Sequence, residues 1–224
     1  MLAILSAGVA PAFALMSFFY LKDQVTEPIH LIIRNLIYGA ILVFPIMFMQ
    51  YALQAEGIGN SDFVQSFLII AFMEEFFKWF IFMYTVYHHT EFDAHYDGIV
   101  YAVAISLGFA TVENLLYLLS NGIEYAFWRA LFPVSSHALF GVIMGYYFGK
   151  AKTKTTNKKW NIGFALTIPF LLHGVYNYIL VKVSSDWLFL LIPFMIFLWI
   201  IALRRVKLAN DIKIYPPLPT KHVN

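Results

Sequence analysis

The chain has 224 residues, of which 61% are hydrophobic and only 12% are charged, and its mean hydropathy is +0.71. Soluble domains carry about 25% charged residues, so the composition excludes an ordinary soluble domain and indicates a polytopic membrane protein. No cysteine is present, which excludes disulfides, thiolate zinc sites and cysteine nucleophiles. The formal net charge of +2 says little by itself. For a membrane protein we expect the lipid bilayer to be a partner and nucleic acid not to be one.

Seven apolar segments follow one another, each judged against the ~20 residues needed to cross ~30 Å of hydrocarbon. They are 2–21, 35–53, 63–87, 98–119, 132–149, 160–182 and 187–203. The sequence therefore predicts an all-α membrane protein of about seven transmembrane helices. We expect one membrane-embedded domain at 1–209, followed by a proline-containing tail at 210–224 that is disordered.

The basic residues predict the orientation of these helices. Clusters occur at Lys22 and Arg34, at the five lysines between 150 and 159, and at Arg204, Arg205 and Lys207. All three lie on one side if the N-terminus is outside and the C-terminus is cytoplasmic, as the excess of Lys and Arg in cytoplasmic loops requires. The loops on the opposite side contain only two basic residues, Arg129 and Lys182, which are exceptions to this distribution.

Ionisable and amide side chains interrupt four of the apolar segments, beginning with "AFMEEFFKWF" at 71–80. They are Glu74, Glu75 and Lys78 in the third segment, Glu113 and Asn114 in the fourth, His137 in the fifth, and His173 and Asn177 in the sixth. At ~1.5 Å per residue, all of them fall at mid-membrane or in the predicted outer half. A charge at a helix centre costs about 2.5–3.5 kcal/mol, so intramembrane ionisable residues are functional by default and face the bundle interior.

Local spacing groups these residues further. Lys78 is three residues after Glu75 and four after Glu74, so it can pair with either carboxylate. His173 and Asn177 are four residues apart and share one helical face. The structural alternatives are that the glutamates and Lys78 only hold helices together, that Glu113 and Asn114 form a packing pair, and that His137 is a capping histidine.

The loop "HHTEFDAHYD" at 88–97 has three histidines and three acids, like a metal site. We expect it to be cytoplasmic and solvated, and to hold no metal.

The available groups favour peptide hydrolysis by a carboxylate. The chain has neither the HExxH motif of zinc peptidases nor a GxSxG serine context. Two adjacent carboxyls can share a proton, and the ionised one can act as a general base on water that attacks a peptide carbonyl. A histidine and Asn177 would stabilise the oxyanion or protonate the leaving amine.

Four motifs in order resemble the PrsW family of bacterial membrane proteases: "EEFFK", "FATVEN", "SHALFG" and "HGVYN". That family is related to the CAAX prenyl endopeptidase and bacteriocin-processing group, whose motifs are EExxxR, FxxxH and HxxxN. Here Lys78 stands one position before the usual arginine, and Glu113 stands where FxxxH has its histidine. The resemblance implies that Glu74, Glu75 and His173 are the essential residues. We expect Asn177 to act with them, and Lys78, Glu113, Asn114 and His137 to support them.

The resemblance also implies a biological role. A single-span anti-sigma factor would be cut first on its extracytoplasmic side, in the cell membrane of a Gram-positive bacterium, and release an envelope-stress sigma factor. We expect a metal-independent mechanism, although two glutamates and two histidines could hold zinc. Two alternatives remain open: an ion- or proton-coupled transporter that uses the same buried residues, and a non-catalytic membrane scaffold.

Overall fold

The computed structural model describes residues 1–154, 156–183 and 186–211, and within these ranges the chain is helical with no strand. The α-helices are α1 (Leu2–Tyr20), α2 (Ile29–Ala55), α3 (Met73–Thr85), α4 (Asp97–Asn121), α5 (Ala126–Arg129), α6 (Ser135–Thr153), α7 (Lys158–Lys182) and α8 (Trp187–Asn210). A π-helix, Val64–Phe72, precedes α3 directly. The 3₁₀-helix Ile123–Tyr125 precedes α5, and a second π-helix, Ala130–Val134, joins α5 to α6.

Six helical stretches in the described ranges are long and apolar enough to cross a membrane: Leu2–Tyr20, Ile29–Ala55, Asp97–Asn121, Ile123–Thr153, Lys158–Lys182 and Trp187–Asn210. The predicted all-α polytopic fold is therefore confirmed. The segment predicted at 63–87 is also helical, but it is divided between nine π-helical residues and the 13 residues of α3. The count of about seven spans and the orientation of the termini stay predictions. Most of the tail predicted at 210–224 lies outside the described residues, beyond Asp211.

The two ends of the bundle carry different connections. At one end, the Asn210 amide donates to the Lys22 carbonyl at 3.0 Å, so the first connection and the end of α8 meet there. At the other end, Lys182 forms an ion pair with Asp62 at 3.2 Å. The basic residues near Lys22 and those at the end of α8 therefore share one end, as the predicted topology requires.

The central helix is α4, which is buried on all sides over its first half and packs closely against α2 and α6. Glycines permit this approach. A Cβ added to Gly108 would lie 1.9 Å from the Leu36 carbonyl oxygen, and one added to Gly145 would lie 2.1 Å from the Gly98 carbonyl oxygen. Small residues let helix backbones approach closely in membrane proteins. These contacts fix α2, α4 and α6 relative to one another, and each of the three carries a residue of the polar cluster described next.

Candidate active site

Glu75 is the residue around which the buried polar cluster is built. The Lys78 ammonium donates to Glu75 Oε1 at 2.8 Å, and its Nζ lies 3.7 Å from Glu74 Oε2. Both Lys78 and Glu75 are completely buried. Both glutamates fall in the first turn of α3, which continues directly from the π-helix Val64–Phe72. The Lys78 ammonium therefore stabilises two carboxylates that would be costly to bury alone.

His173 of α7 contacts both glutamates from the opposite wall. Its Nδ1 lies 3.0 Å from Glu75 Oε1, and its Nε2 lies 4.0 Å from Glu74 Oε2. The imidazole is buried and stacks on the Phe140 ring, with the ring centroids 4.9 Å apart. Packing on one side and a carboxylate on Nδ1 fix the ring, so that Nε2 faces Glu74.

His137 of α6 extends the cluster toward α4. Its Nδ1 lies 3.1 Å from Lys78 Nζ, and its Nε2 lies 3.0 Å from Glu113 Oε2. An ammonium can only donate, so His137 Nδ1 accepts and Nε2–H donates to Glu113. The other oxygen of Glu113 lies 3.7 Å from Arg129 Nη2. A continuous chain of polar contacts therefore runs from the paired glutamates to Arg129.

The two amide side chains predicted for the site, Asn114 and Asn177, differ in their contacts. Asn114 does not reach the glutamates: its Nδ2 donates to the Gly8 carbonyl at 2.9 Å and its Oδ1 accepts from Arg129 Nε at 3.0 Å. It thus links α1 to Arg129 and acts on the cluster only through that arginine. The buried Nδ2 of Asn177, one turn after His173, has no hydrogen-bond partner in the described structure.

Gln50 of α2 is a member of the site that the sequence analysis missed. Its Nε2 lies 3.3 Å from the Ile69 carbonyl in the π-helix and 3.4 Å from Glu74 Oε1. π-helical turns occur frequently at functional sites, and this one ends directly before Met73 and Glu74. The sequence signal that could have identified Gln50 is a polar side chain near the end of an apolar segment. Arg129 was likewise read only as an exception to the charge distribution.

The loop 88–97 is solvated only in part, since His88, Glu91 and Asp93 are exposed as expected but four of its ten residues are buried. His95 is buried, with Nε2 at 2.8 Å from the Tyr146 carbonyl, because α6 packs over this loop. Asp97 is buried too, and lies with Asp23 and Glu27 in a group of carboxylates whose oxygens are within 4.8 Å of one another. Burial raises the pKa of Glu27 to about 8 and the pKa of Asp23 to about 6. These groups therefore bind protons at neutral pH more readily than free carboxyls do.

Comparisons with known proteins point to the same family that the four motifs resemble. A family model described as "PrsW family intramembrane metalloprotease" matches residues 27–203. "Protease PrsW" of Oceanobacillus iheyensis is 64% identical over 94% of this chain and 98% of its own length. "Protease PrsW" of Bacillus subtilis is 53% identical over 95% and 98%, and that of Clostridioides difficile is 33% identical over 81% and 80%. No solved structure matches the chain.

The family match covers most of the chain, and these relatives align with nearly all or most of their own length. The four motifs that carry the resemblance supply Glu74, Glu75, Glu113, His137 and His173, which the structure brings into one cluster, buried except at Glu113. The chain therefore belongs to the PrsW family of intramembrane proteases.

Proposed function

We propose that the chain hydrolyses a peptide bond of a membrane-spanning protein with a glutamate as general base. The observation that carries this proposal is the separation of 4.0 Å between Glu74 Oε2 and His173 Nε2. A polar pair at more than 3.5 Å can be bridged by a water. Glu74 Oε2 is buried and has no hydrogen-bond partner among the described residues, so a lone pair is free to accept from that water.

Glu74 is better placed than Glu75 to act as the general base. Glu75 is 0% exposed, and its Oε1 is occupied by both Lys78 and His173. Its Oε2, like that of Glu74, has no hydrogen-bond partner among the described residues. Glu74 is 6% exposed, and its Oε2 lies 4.0 Å from His173 Nε2, which distinguishes it from Glu75. In this division of labour Glu75 holds the lysine and the imidazole in place, and Glu74 takes the proton.

The hydrolytic step follows from this geometry. The water oxygen adds to the scissile carbonyl carbon while Glu74 accepts one of its protons. The resulting oxyanion accepts hydrogen bonds from His173 Nε2–H and from the unpartnered amide of Asn177. Preorganised donors of this kind are among the largest single contributions to catalysis. As the C–N bond breaks, Glu74 delivers its proton to the amine nitrogen and returns to its ionised form.

The charges of the cluster support this assignment. The Lys78 ammonium lies 2.8 Å from Glu75 Oε1 and 3.7 Å from Glu74 Oε2. Unpaired buried charges cost several kcal/mol each, so this ammonium favours an ionised base at depth. Glu113 is balanced separately by Arg129, at 3.7 Å.

The family description names a metalloprotease, and some of the same residues are of the type that binds a metal ion. Single ligand atoms of Glu74, His137 and His173 lie within 4.8 Å of one another, and two histidines with a carboxylate are a known catalytic zinc set. Zinc bound there would activate water as a Lewis acid. However, Lys78 Nζ lies 3.1 Å from His137 Nδ1 and 3.7 Å from Glu74 Oε2. We therefore propose metal-independent hydrolysis, in which Lys78 supplies the positive charge among these donors.

The substrate we propose is a single-span anti-sigma factor in the cell membrane of a Gram-positive bacterium. Cleavage on its extracytoplasmic side would begin the release of an envelope-stress sigma factor. The motif resemblance and the polar cluster's predicted position in the outer half of the bilayer support this role. A transporter and a scaffold have the same polar residues available, but membership of a protease family favours hydrolysis.

Reconstituted cleavage tests the proposal. The purified chain in detergent is mixed with a purified single-span anti-sigma factor from the same organism, and products are mapped by mass spectrometry. We expect one cut near the extracytoplasmic end of the span, unchanged by a zinc chelator and abolished by Glu74→Gln. Folded protein that leaves the substrate intact would support the transporter or the scaffold. Loss of cleavage with chelator, restored by zinc, would overturn the metal-independent mechanism.

A further inference from the structure

A cavity of about 450 Å³ lies beside the active site, between the end of α4, the segment 123–134, α7 and α8. Its walls are mainly aromatic, formed by Tyr117, Tyr125, Trp128, Phe132 and Trp187. Ligand pockets in proteins typically measure about 300–1,000 Å³ and combine apolar walls with a few placed polar groups. The volume is thus sufficient for a bulky side chain together with its backbone.

Two polar groups line this cavity without using their full hydrogen-bonding capacity. Tyr176 is only 4% exposed, and its hydroxyl lies beside the Ser136 hydroxyl without a well-formed hydrogen bond. The hydroxyl of Ser136 donates instead to the Pro133 carbonyl at 2.8 Å. A buried hydroxyl without a partner is destabilising. Such a group is explained if a ligand supplies the missing acceptor.

Arg129 provides the second group. Its Nε donates to Asn114 Oδ1 at 3.0 Å, and its guanidinium lies 4.2 Å from the centroid of the Tyr117 ring. These contacts fix the guanidinium, while its buried Nη2 makes no hydrogen bond. Two donors without a well-formed hydrogen bond, the Tyr176 hydroxyl and Arg129 Nη2, therefore belong to residues that line the cavity, although both atoms are themselves buried.

Two residues that line the cavity, Tyr176 and Arg129, connect it to the polar cluster. Tyr176 follows His173 by three residues on α7, with ring centroids 6.5 Å apart, and Arg129 Nη2 lies 3.7 Å from Glu113 Oε1. An extended peptide advances about 3.3–3.6 Å per residue, so a group in the cavity is separated from a carbonyl at His173 by about two residues. A substrate whose carbonyl lies at His173 can therefore place a nearby side chain in the cavity.

We propose that this cavity is a substrate subsite that binds one large apolar side chain, preferably aromatic, about two residues from the scissile bond. The backbone carbonyl beside that side chain accepts from the Tyr176 hydroxyl and Arg129 Nη2. A neutral acceptor suits the site better than a lipid phosphate, because Glu113 already balances the charge of Arg129 at 3.7 Å. This inference rests on the proposed protease function and assigns the side chain that the substrate must carry.

Photolabelling tests the subsite without requiring cleavage. The full chain in nanodiscs is irradiated with N-acetyl-4-benzoylphenylalaninamide, and labelled peptides are mapped by mass spectrometry. We expect label on the cavity walls, reduced at least threefold by excess N-acetylphenylalaninamide and unchanged by N-acetylalaninamide or glycerol phosphate. Equal competition by all three compounds, or preferential competition by the phosphate or by anionic lipid in the nanodisc, would overturn the proposal.

Variants make the test specific to this cavity. Leu180→Trp fills it from a partly exposed position on α7, and Tyr176→Phe removes only the unpartnered hydroxyl. Each should reduce labelling at least threefold and raise KM with a smaller effect on kcat. Leu171→Trp on the same helix is the matched control, since Leu171 is exposed and does not line the cavity. Labelling that is unchanged in both cavity variants would refute the subsite.

The two proposals fail in distinguishable ways. If the chain is not a protease, the wild type leaves its substrate intact, whereas labelling of the cavity is still expected. If the cavity is not a subsite, cleavage proceeds, and Leu180→Trp and Tyr176→Phe match the Leu171→Trp control in both labelling and KM.

Discussion

Glu74 Oε2 and His173 Nε2 face each other at 4.0 Å, from two helices whose sequence positions are almost 100 residues apart. The separation is too long for a direct hydrogen bond and suits one bridging water. Lys78 and Glu75 hold this pair in place through contacts of 2.8 Å and 3.0 Å to Glu75 Oε1. The predictions below test how each part of this arrangement acts.

His173 and Asn177 should behave as one catalytic unit. Loss of an oxyanion donor costs about 10²–10³ in rate, so we expect Asn177→Ala to be impaired but measurable. His173→Ala should be close to inactive, because it also loses the contact to Glu75. Groups that act together are far from additive, so single-turnover rates should show the double variant to be little worse than His173→Ala. Fully additive losses, or loss of substrate co-purification in His173→Ala, would instead indicate a packing or binding role.

Gln50 should position Glu74 rather than bind substrate. Gln50→Leu removes the donor that lies 3.4 Å from Glu74 Oε1. A hydrogen bond to a charged group contributes about 1.5–3 kcal/mol, so kcat should fall roughly 10-fold or more while KM changes little. Gln54→Leu, one turn further along α2 and exposed, is the matched control and should retain wild-type kinetics. If Gln50→Leu and Gln54→Leu changed kcat equally, the prediction that Gln50 positions Glu74 would be wrong.

Close packing of α2 against α4 should depend on Gly108. Its added Cβ would meet the Leu36 carbonyl at 1.9 Å, and overpacking typically costs about 1–3 kcal/mol. We therefore expect Gly108→Ala to lower the free energy of unfolding in detergent by at least that amount. Gly163→Ala in α7 is the control: nothing lies within 4 Å of its Cβ, and alanine favours a helix by up to about 1 kcal/mol over glycine. Equal thermal stability of the two variants would contradict the close crossing.

The predicted orientation can be measured with reporter fusions. A reporter placed after Arg205 should behave as cytoplasmic, and one inserted near Gly57 should behave as external, because basic residues cluster at the first of these ends. The reverse pattern would contradict both the predicted topology and the assignment of the polar cluster to the outer half of the membrane. Insertion at Gly57 requires a check that the full-length protein accumulates.

Much of the site could be predicted because helices preserve register over their whole length. Depth along each segment and the spacing of Glu74, Glu75 and Lys78 were sufficient to group these residues with His173. The partners at the segment ends were not predictable in this way. Gln50 and Arg129 look like ordinary polar residues near a membrane surface, and only the packing of α2 and of the segment 123–134 turns them inward.

The presence of each helix was predicted better than the residues at which it begins and ends. The second segment was expected to begin at 35, yet α2 begins at Ile29, because backbone hydrogen bonding continues through polar residues that hydropathy excludes. The π-helical stretch before α3 was not predicted, since an uninterrupted apolar run carries no sign of a change in helical period. Burial of His95 depends on α6 packing over its loop, which is a tertiary contact without a local sequence pattern.

The most direct test of the glutamate mechanism is the single-turnover cleavage rate of Glu74→Gln with a purified single-span substrate. Glutamine keeps the shape of the side chain and the contact to Gln50 but cannot accept the proton of water. General bases contribute about 10²–10⁴ in rate, so we predict a loss of at least 10², with wild-type abundance and substrate binding. Glu75→Gln should be equally inactive through the loss of its charge contacts to Lys78 and His173. A Glu74→Gln enzyme that cleaves within a few-fold of the wild-type rate would contradict the assignment of Glu74 as the base.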